Sequence, residues 1–337
     1  MTVYSQRLGD ISDAQFEVAV RQAGLGDFLS ASHIKTGLFG QNVFITTSMG
    51  EFVFRGAPHG QNGSTEDLWQ FRKERFYANH LHAKTDVPVA WPQRLETSGP
   101  FDWPYLLMPK LPGLCLDNPA SRVGLETADY EDIARTMGAA LVRLQSLSYP
   151  FAGDFDPATQ DLAPFVGGYR SHLAGEFEWM LRLGQESRGI DSEDIKWVEA
   201  LIAADKREAD EGDSVYVHND FTHGNVLVER TTSGWRVSGV VDLMTSCFGD
   251  PAADLVRQSC AYLDRRPSLA SIFIGAYRAE SAAPKRAPAR LALLIAYERL
   301  LIWEYFCRPP NRHDFTIGTT FRVWADTYVT RLQALFE

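Results

Sequence analysis

Two carboxylates and an amide carry the chemistry that this chain can do: Asp220, Asn225 and Asp242. Asp220 and Asn225 lie close to His218 in YVHNDFTHGNVLV, residues 216–228. Asp242 closes an apolar run in VSGVVDLMTSCFGDP, residues 237–251. Strand propensity does not favour a carboxylate at the end of a buried run, so an Asp there is read as pointing into a site. One carboxylate can accept a proton from a hydroxyl. An amide oxygen and a second carboxylate are hard donors that suit magnesium. These are the parts that phosphoryl transfer needs: a base that orients the nucleophile, and donors for ions that neutralise phosphate charge.

The elements around these residues follow from pattern. Ser12-Asp13 before FEVAV reads as a helix start, ended by Gly24. Two β-rich runs, 42–47 and 51–55, joined by Ser48-Met49-Gly50, read as a hairpin. Residues 65–84 read as a helix, and 87–95 and 105–108 as strands. Pro112-Gly113 breaks the chain. A long helix is expected over 125–147, with Thr127 as N-cap and Ile133, Met137, Leu141 and Leu144 on one face. Further helices are expected within 164–183 and 192–210, and short strands at 215–217, 226–229 and 236–241. Everything from Ala252 onward reads as helical. The expected organisation is an α+β chain with a small β-rich lobe, 1–112, and a larger, mainly helical lobe, 113–337.

Composition narrows the class. The chain has 337 residues, 45% hydrophobic and 23% charged, which excludes disordered and collagen-like chains. Its 33 Lys and Arg against 43 Asp and Glu give a net charge of −10, which repels a nucleic-acid backbone. The four cysteines form no CxxC pair and the first residues hold no apolar signal core, so reduced thiols in a cytoplasmic protein are expected. The most apolar stretch, 291–306, contains Glu298, Arg299 and Glu304 and reads as a buried amphipathic helix, so no membrane partner is expected. Between positions 151 and 213 there are 15 acidic and 6 basic residues. That stretch is either a pair of solvated helices or an acidic rim for a cationic acceptor.

The separation of Asp220 and Asn225 is that of the Asp and Asn in the protein-kinase catalytic loop, although no HRD or DFG is present. HNDFTHGN and VVDLMTSCFGDPAADL resemble the HGDLHPGN and IDW…GDP..DL motifs of the aminoglycoside phosphotransferase and choline kinase family. Upstream, GLFGQNVFITT is similar to that family's Gly-rich turn, at Gly37, Gly40 and Asn42. EFVFRG is similar to its third strand, FRKERFYANHLHAKTDVPVAWP to its next helix and VPVP segment, and WPYLLMPKLPG to its hinge.

The resemblance implies a two-lobed, protein-kinase-like fold and a magnesium-dependent kinase acting on a small-molecule hydroxyl, with ATP or GTP as donor. Asp220 is then the catalytic base, and Asn225 and Asp242 are the magnesium ligands. Gly40, Asn42, Arg55 and its partner Glu74 hold the nucleotide phosphates, and the backbone of Leu107, Met108 and Pro109 takes the adenine edge. His218 packs within the loop. Thr222 and His223 stand where the family often has His and Pro, Arg55 replaces the usual Lys, and Pro109 lacks a backbone donor. The acceptor is expected to be an amine-bearing molecule of aminoglycoside type. The alternatives are a metabolic kinase for choline, homoserine or sugars, and a nucleotide-binding protein without turnover. Asp250 and Asp254 read as caps of the following helix, and Trp303, Tyr305 and Phe306 as core. Glu298, Glu304 and Asp264 are acids that would suit an aminated substrate.

Overall fold

The structure is a computed structural model that describes residues 2–5, 8–34, 42–56, 65–187, 189–207, 214–281, 287–307 and 313–336. Gly37 and Gly40 lie outside the described residues, as do the acids at 208–213. The chain divides into two compact units. The first comprises Met1–Gly124, Phe155–Asp161 and His223–Thr245; the second comprises Leu125–Asp154, Leu162–Thr222 and Ser246–Glu337.

The first unit is built on a five-stranded antiparallel sheet. Its order is Phe28–His33, Asn42–Thr47, Gly50–Gly56, Tyr105–Pro109, Arg94–Glu96. The expected hairpin is present, with Asn42 opposite Arg55 and Thr47 opposite Gly50. Helix Asp13–Gln22 is capped by Ser12, whose side chain accepts from the Gln15 N–H. It buries Phe16 against Phe54 and Phe101 at ring separations of 5.3 and 6.4 Å. This aromatic core fixes the sheet that carries Arg55. Helix Thr65–Lys84 has the expected bounds.

The strand expected over 87–95 is reduced to Arg94–Glu96, with Val89 making a lone bridge to Val240. Pro88 and Pro92 have no N–H for a ladder, which accounts for the interruption. Strand Phe28–His33 was not expected, because FLSASH lacks β-branched alternation.

A two-stranded ribbon, Val226–Thr231 with Gly234–Val240, belongs to the same unit. Leu114 ties it to the first segment through a pair of backbone hydrogen bonds with Val228, 2.7 and 3.1 Å. Gly113 makes that approach possible. Its φ is +110°, and a Cβ there would lie 2.1 Å from Ser238 Oγ and 2.9 Å from the Val228 carbonyl oxygen. Gly113→Ala is therefore expected to lower stability by at least about 2 kcal/mol, read as a lower urea midpoint with unchanged slope.

The second unit is mainly helical. Helix Thr127–Leu144 buries Ile133, Met137, Leu141 and Leu144 as expected, although its N-cap is Glu126 rather than Thr127. Asp129 Oδ2 accepts the Glu126 N–H at 3.0 Å, which moves the cap back one residue. Helices Gly168–Glu186 and Ser192–Asp205 follow. Ala252–Arg265, Ser268–Glu280, Pro288–Cys307 and Phe321–Phe336 fill the C-terminal part. Strand Ser214–Val217 pairs with Cys247–Gly249 on one side and Ser148–Tyr149 on the other, and so places the start of the His218–Asp220 loop. Among the described residues no helix is long and apolar enough to cross a membrane.

Candidate active site

In the first unit, Arg55 is the centre of a charged cluster. It leaves strand Gly50–Gly56, and only 5% of the residue is exposed. Its Nη1 donates to Glu74 Oε1 at 2.9 Å, and its Nη2 donates to Asp242 Oδ1 at 3.0 Å and to Met244 Sδ at 3.5 Å. Burial works against its charge, but Glu74 and Asp242 together outweigh burial and its pKa is raised. A buried arginine between two carboxylates is a fixed cation whose planar fork is already aimed. Glu74, 2% exposed, comes from the middle of helix Thr65–Lys84.

The ribbon brings Asn225 and Asp242 to one end. Val226 pairs with Val240, and the Val241 N–H donates to the Asn225 carbonyl oxygen at 2.9 Å. Asn225 thus stands one residue before the first rung, and Asp242 two residues after it. Asp242 has φ +65°, an uncommon left-handed conformation for a side-chain-bearing residue. Such strain concentrates where a side chain must be held in one direction. The Asp242 side chain is 40% exposed, so its carboxylate reaches solvent as well as Arg55. A hard-oxygen pair at one ribbon end, beside a fixed cation, fits a magnesium–phosphate group in donor chemistry. Sequence alone did not show that Arg55 joins Asp242.

The remaining nucleotide candidates also lie in this unit. Asn42 sits opposite Arg55 in the hairpin, with a buried Oδ1 that has no hydrogen-bond partner among the described residues. Leu107 lies within the sheet between Phe54 and Arg94, Met108 is opposite Val53, and Pro109, opposite Phe52, ends its strand. The His223 and Gly224 carbonyl oxygens lie 3.7 and 3.4 Å from the Cys115 thiol, which donates to them.

In the second unit, Asp220 ends a loop that two residues hold. The first is Asp254, whose two carboxylate oxygens accept the backbone N–H groups of His218 and Asn219 at 2.7 and 2.8 Å. The expected helix cap is therefore a loop clamp. Asp250 does cap, accepting the Ala252 N–H at 2.9 Å. His218, fully buried, accepts the Asp220 N–H on Nδ1 at 3.3 Å. The second is Arg257, which the sequence reading missed. Its Nε and Nη2 donate to Asp220 Oδ1 at 3.1 and 2.8 Å. Asp254 and Arg257 are three positions apart on helix Ala252–Arg265, so they share a face toward the loop. That spacing was the available signal.

Burial raises the Asp254 carboxyl from 3.8 to about 6, against the pull of His218 and the two backbone N–H groups. The folded protein then binds this proton more tightly than the unfolded chain does. The contribution of Asp254 to stability is full below pH 3.8 and is lost as the pH rises through 6. The two-unit shift is worth about 3 kcal/mol. Asp254→Asn lacks this titration. Its stability relative to wild type is expected to improve by about 3 kcal/mol between roughly pH 4 and 7, read from urea midpoints.

Other acids are already spent within the second unit. Asp205 is buried between Arg170 Nε at 3.0 Å and Arg290 Nε at 2.9 Å. Asp191 and Asp194 cap helix Ser192–Asp205, and Asp194 also accepts the Arg322 N–H at 2.8 Å. Glu298 and Asp264, taken from the sequence as acids for an aminated substrate, pair instead with Arg257 and Arg299. The guanidinium of Arg299 covers the rings of Trp324 and Tyr328, 5.3 and 4.5 Å from their centroids. Those faces hold the chain's own cation.

The fold is kinase-like. The model of the phosphotransferase enzyme family matches residues 31–294, and the chain belongs to that family. A search of curated proteins returns no match. Among solved structures, a candidate aminoglycoside phosphotransferase of Ralstonia eutropha JMP134 is similar at 17% identity. It covers 97% of each chain with a TM-score of 0.61. A microcompartment-associated aminopropanol kinase is similar at 17% identity, covering 94% of each chain with a TM-score of 0.61. The GDP and kanamycin complex of an aminoglycoside 2''-phosphotransferase of type IIIa is similar at 13% identity. It covers 94% of this chain and 95% of that one, with a TM-score of 0.55.

Proposed function

We propose that the protein transfers the γ-phosphoryl group of ATP or GTP to a hydroxyl of a small molecule. The observation that carries this reading is Arg55, held between Glu74 and Asp242. Asn225 stands at the same ribbon end as Asp242.

Each side chain has one task in this scheme. Arg55, braced by Glu74, contacts the donor's phosphates and offsets their charge as it shifts to the leaving group. Asn225 and Asp242 hold magnesium, which when bound supplies the charge neutralisation that phosphoryl transfer requires. The amide of Asn42 lines the phosphates. The backbone of Leu107, Met108 and Pro109 takes the edge of the base. Asp220 accepts the hydrogen bond of the acceptor hydroxyl and orients its oxygen, which is the larger part of catalysis in a loose transition state. Transfer is direct, without a phosphorylated enzyme, and occurs in the cytoplasm.

The acceptor is a small amine-bearing alcohol. The support is what similar proteins act on or hold: aminopropanol is named for one kinase, and kanamycin is bound in one aminoglycoside phosphotransferase. Glu298 and Asp264 do not contribute to that preference, being paired internally.

The test is ADP or GDP release with magnesium and ATP, then GTP. The acceptor panel is kanamycin, 1-amino-2-propanol, choline, homoserine, hexoses and a macrolide. Release that depends on one acceptor class supports the reading and names the substrate. Turnover of choline, homoserine or sugar alone would assign a metabolic kinase. Magnesium-dependent nucleotide binding without release would assign a binding protein.

A further inference from the structure

We infer that Arg257 is a positioning residue for Asp220, and that its own direction is set by a chain of alternating charges with a buried centre; this rests on the kinase reading above. The guanidinium presents one edge to Asp220, with Nε at 3.1 Å and Nη2 at 2.8 Å from the same oxygen, Oδ1. Two donors on one oxygen fix both the place and the rotation of the carboxylate, and with them the direction of Oδ2. A carboxylate that must orient a hydroxyl needs that constraint more than it needs basicity.

Arg257 is itself held from behind. Nη1 donates to Glu298 Oε1, and Glu298 Oε2 accepts from Arg299 Nε. Arg299 Nη1 reaches both oxygens of Asp264 at 3.2 and 3.0 Å, and the Tyr328 hydroxyl donates to Asp264 Oδ1 at 2.5 Å. The signs alternate along Asp220, Arg257, Glu298, Arg299 and Asp264. The middle members are the buried ones: the side chains of Glu298 and Arg299 are 6% and 2% exposed, whereas those of Asp220 and Asp264 are each 36% exposed. Glu298 stays ionised because Arg299 and Arg257 outweigh its burial, which alone would raise its pKa. The pair at the centre cannot neutralise and let go, so the guanidinium edge stays aimed.

The test compares Arg257→Gln and Arg257→Lys with wild type. The readout is ADP release from Mg–ATP, measured basally with water and with the acceptor turned over fastest. The expected result for Arg257→Gln is a fall in kcat of ten- to a hundredfold. KM for ATP and for the acceptor should stay within about threefold. Arg257→Lys should recover part of kcat, and millimolar guanidinium should partly restore Arg257→Ala, which a folding defect would not allow. Added to Asp220→Asn, Arg257→Gln should cost no further activity, since it acts through that carboxylate. The inference is overturned by a wild-type kcat in Arg257→Gln, by an effect on KM alone, or by a full additional loss on the Asp220→Asn background. A wild type with no turnover, equal to Asp220→Asn, overturns the kinase reading instead.

Discussion

Asp220→Asn is expected to lower phosphoryl transfer about a thousandfold, within the roughly 10²–10⁴ range that a positioned acid–base group supplies. Magnesium–nucleotide affinity should change by no more than about threefold, because none of the proposed phosphate or metal groups is altered. The substitution is a clean one. The Asn oxygen can still accept the two Arg257 N–H groups that Asp220 Oδ1 accepts now. Arg257 also keeps Glu298 as a counter-charge, so no buried cation is stranded. The thermal midpoint should therefore stay close to wild type. Steady-state ADP release and nucleotide titration calorimetry check the two halves. An equal loss of binding and turnover would mean that Asp220 serves the nucleotide.

Asp242→Asn is expected to lower kcat at least a hundredfold and to remove most of the magnesium dependence of nucleotide binding. A carboxylate that holds the metal is worth several kcal/mol in the transition state, and about 1.4 kcal/mol is a factor of ten. Asn is the informative replacement because it tolerates a left-handed backbone, and the φ of Asp242 is +65°. Asp242→Ala adds backbone strain of about 1 kcal/mol and should unfold earlier than Asp242→Asn. Arg55 keeps Glu74 at 2.9 Å in either variant, so its charge remains paired. Calorimetry at several magnesium concentrations reads the metal term directly. Unchanged magnesium dependence would remove Asp242 from the metal site.

Much of the scaffold was legible from local pattern. The hairpin of Asn42–Thr47 and Gly50–Gly56 follows from β-rich runs about a short turn, and the helix Thr65–Lys84 from its length without Pro or Gly. The loop holding His218 and Asp220 was legible as chemistry because polar residues interrupt apolar runs. What local pattern could not show were contacts between distant segments. Arg55 meets Asp242, and Leu114 meets Val228, across long stretches of sequence. The left-handed backbone of Asn219 and Asp242 was equally hidden, since nothing in an Asp or Asn forces a positive φ. Glu298 and Asp264 were misjudged for the same reason. Their charge was visible, but the arginines that neutralise them were not assigned to them. Asp254 looked like a cap because a carboxylate in a first helical turn usually is one, yet the N–H groups it takes belong to another segment.

The central claim is that the donor's terminal phosphoryl group ends on a small-molecule hydroxyl through Asp220. The most direct measurement follows that group itself. Wild type and Asp220→Asn are incubated with magnesium, γ-labelled ATP and the acceptor panel, and the label is located by mass spectrometry and chromatography. The account predicts label on one class of acceptor, as a phosphate ester, formed by wild type and about a thousandfold more slowly by Asp220→Asn. Label found only as inorganic phosphate, or on the protein, or released equally by both proteins, would contradict it.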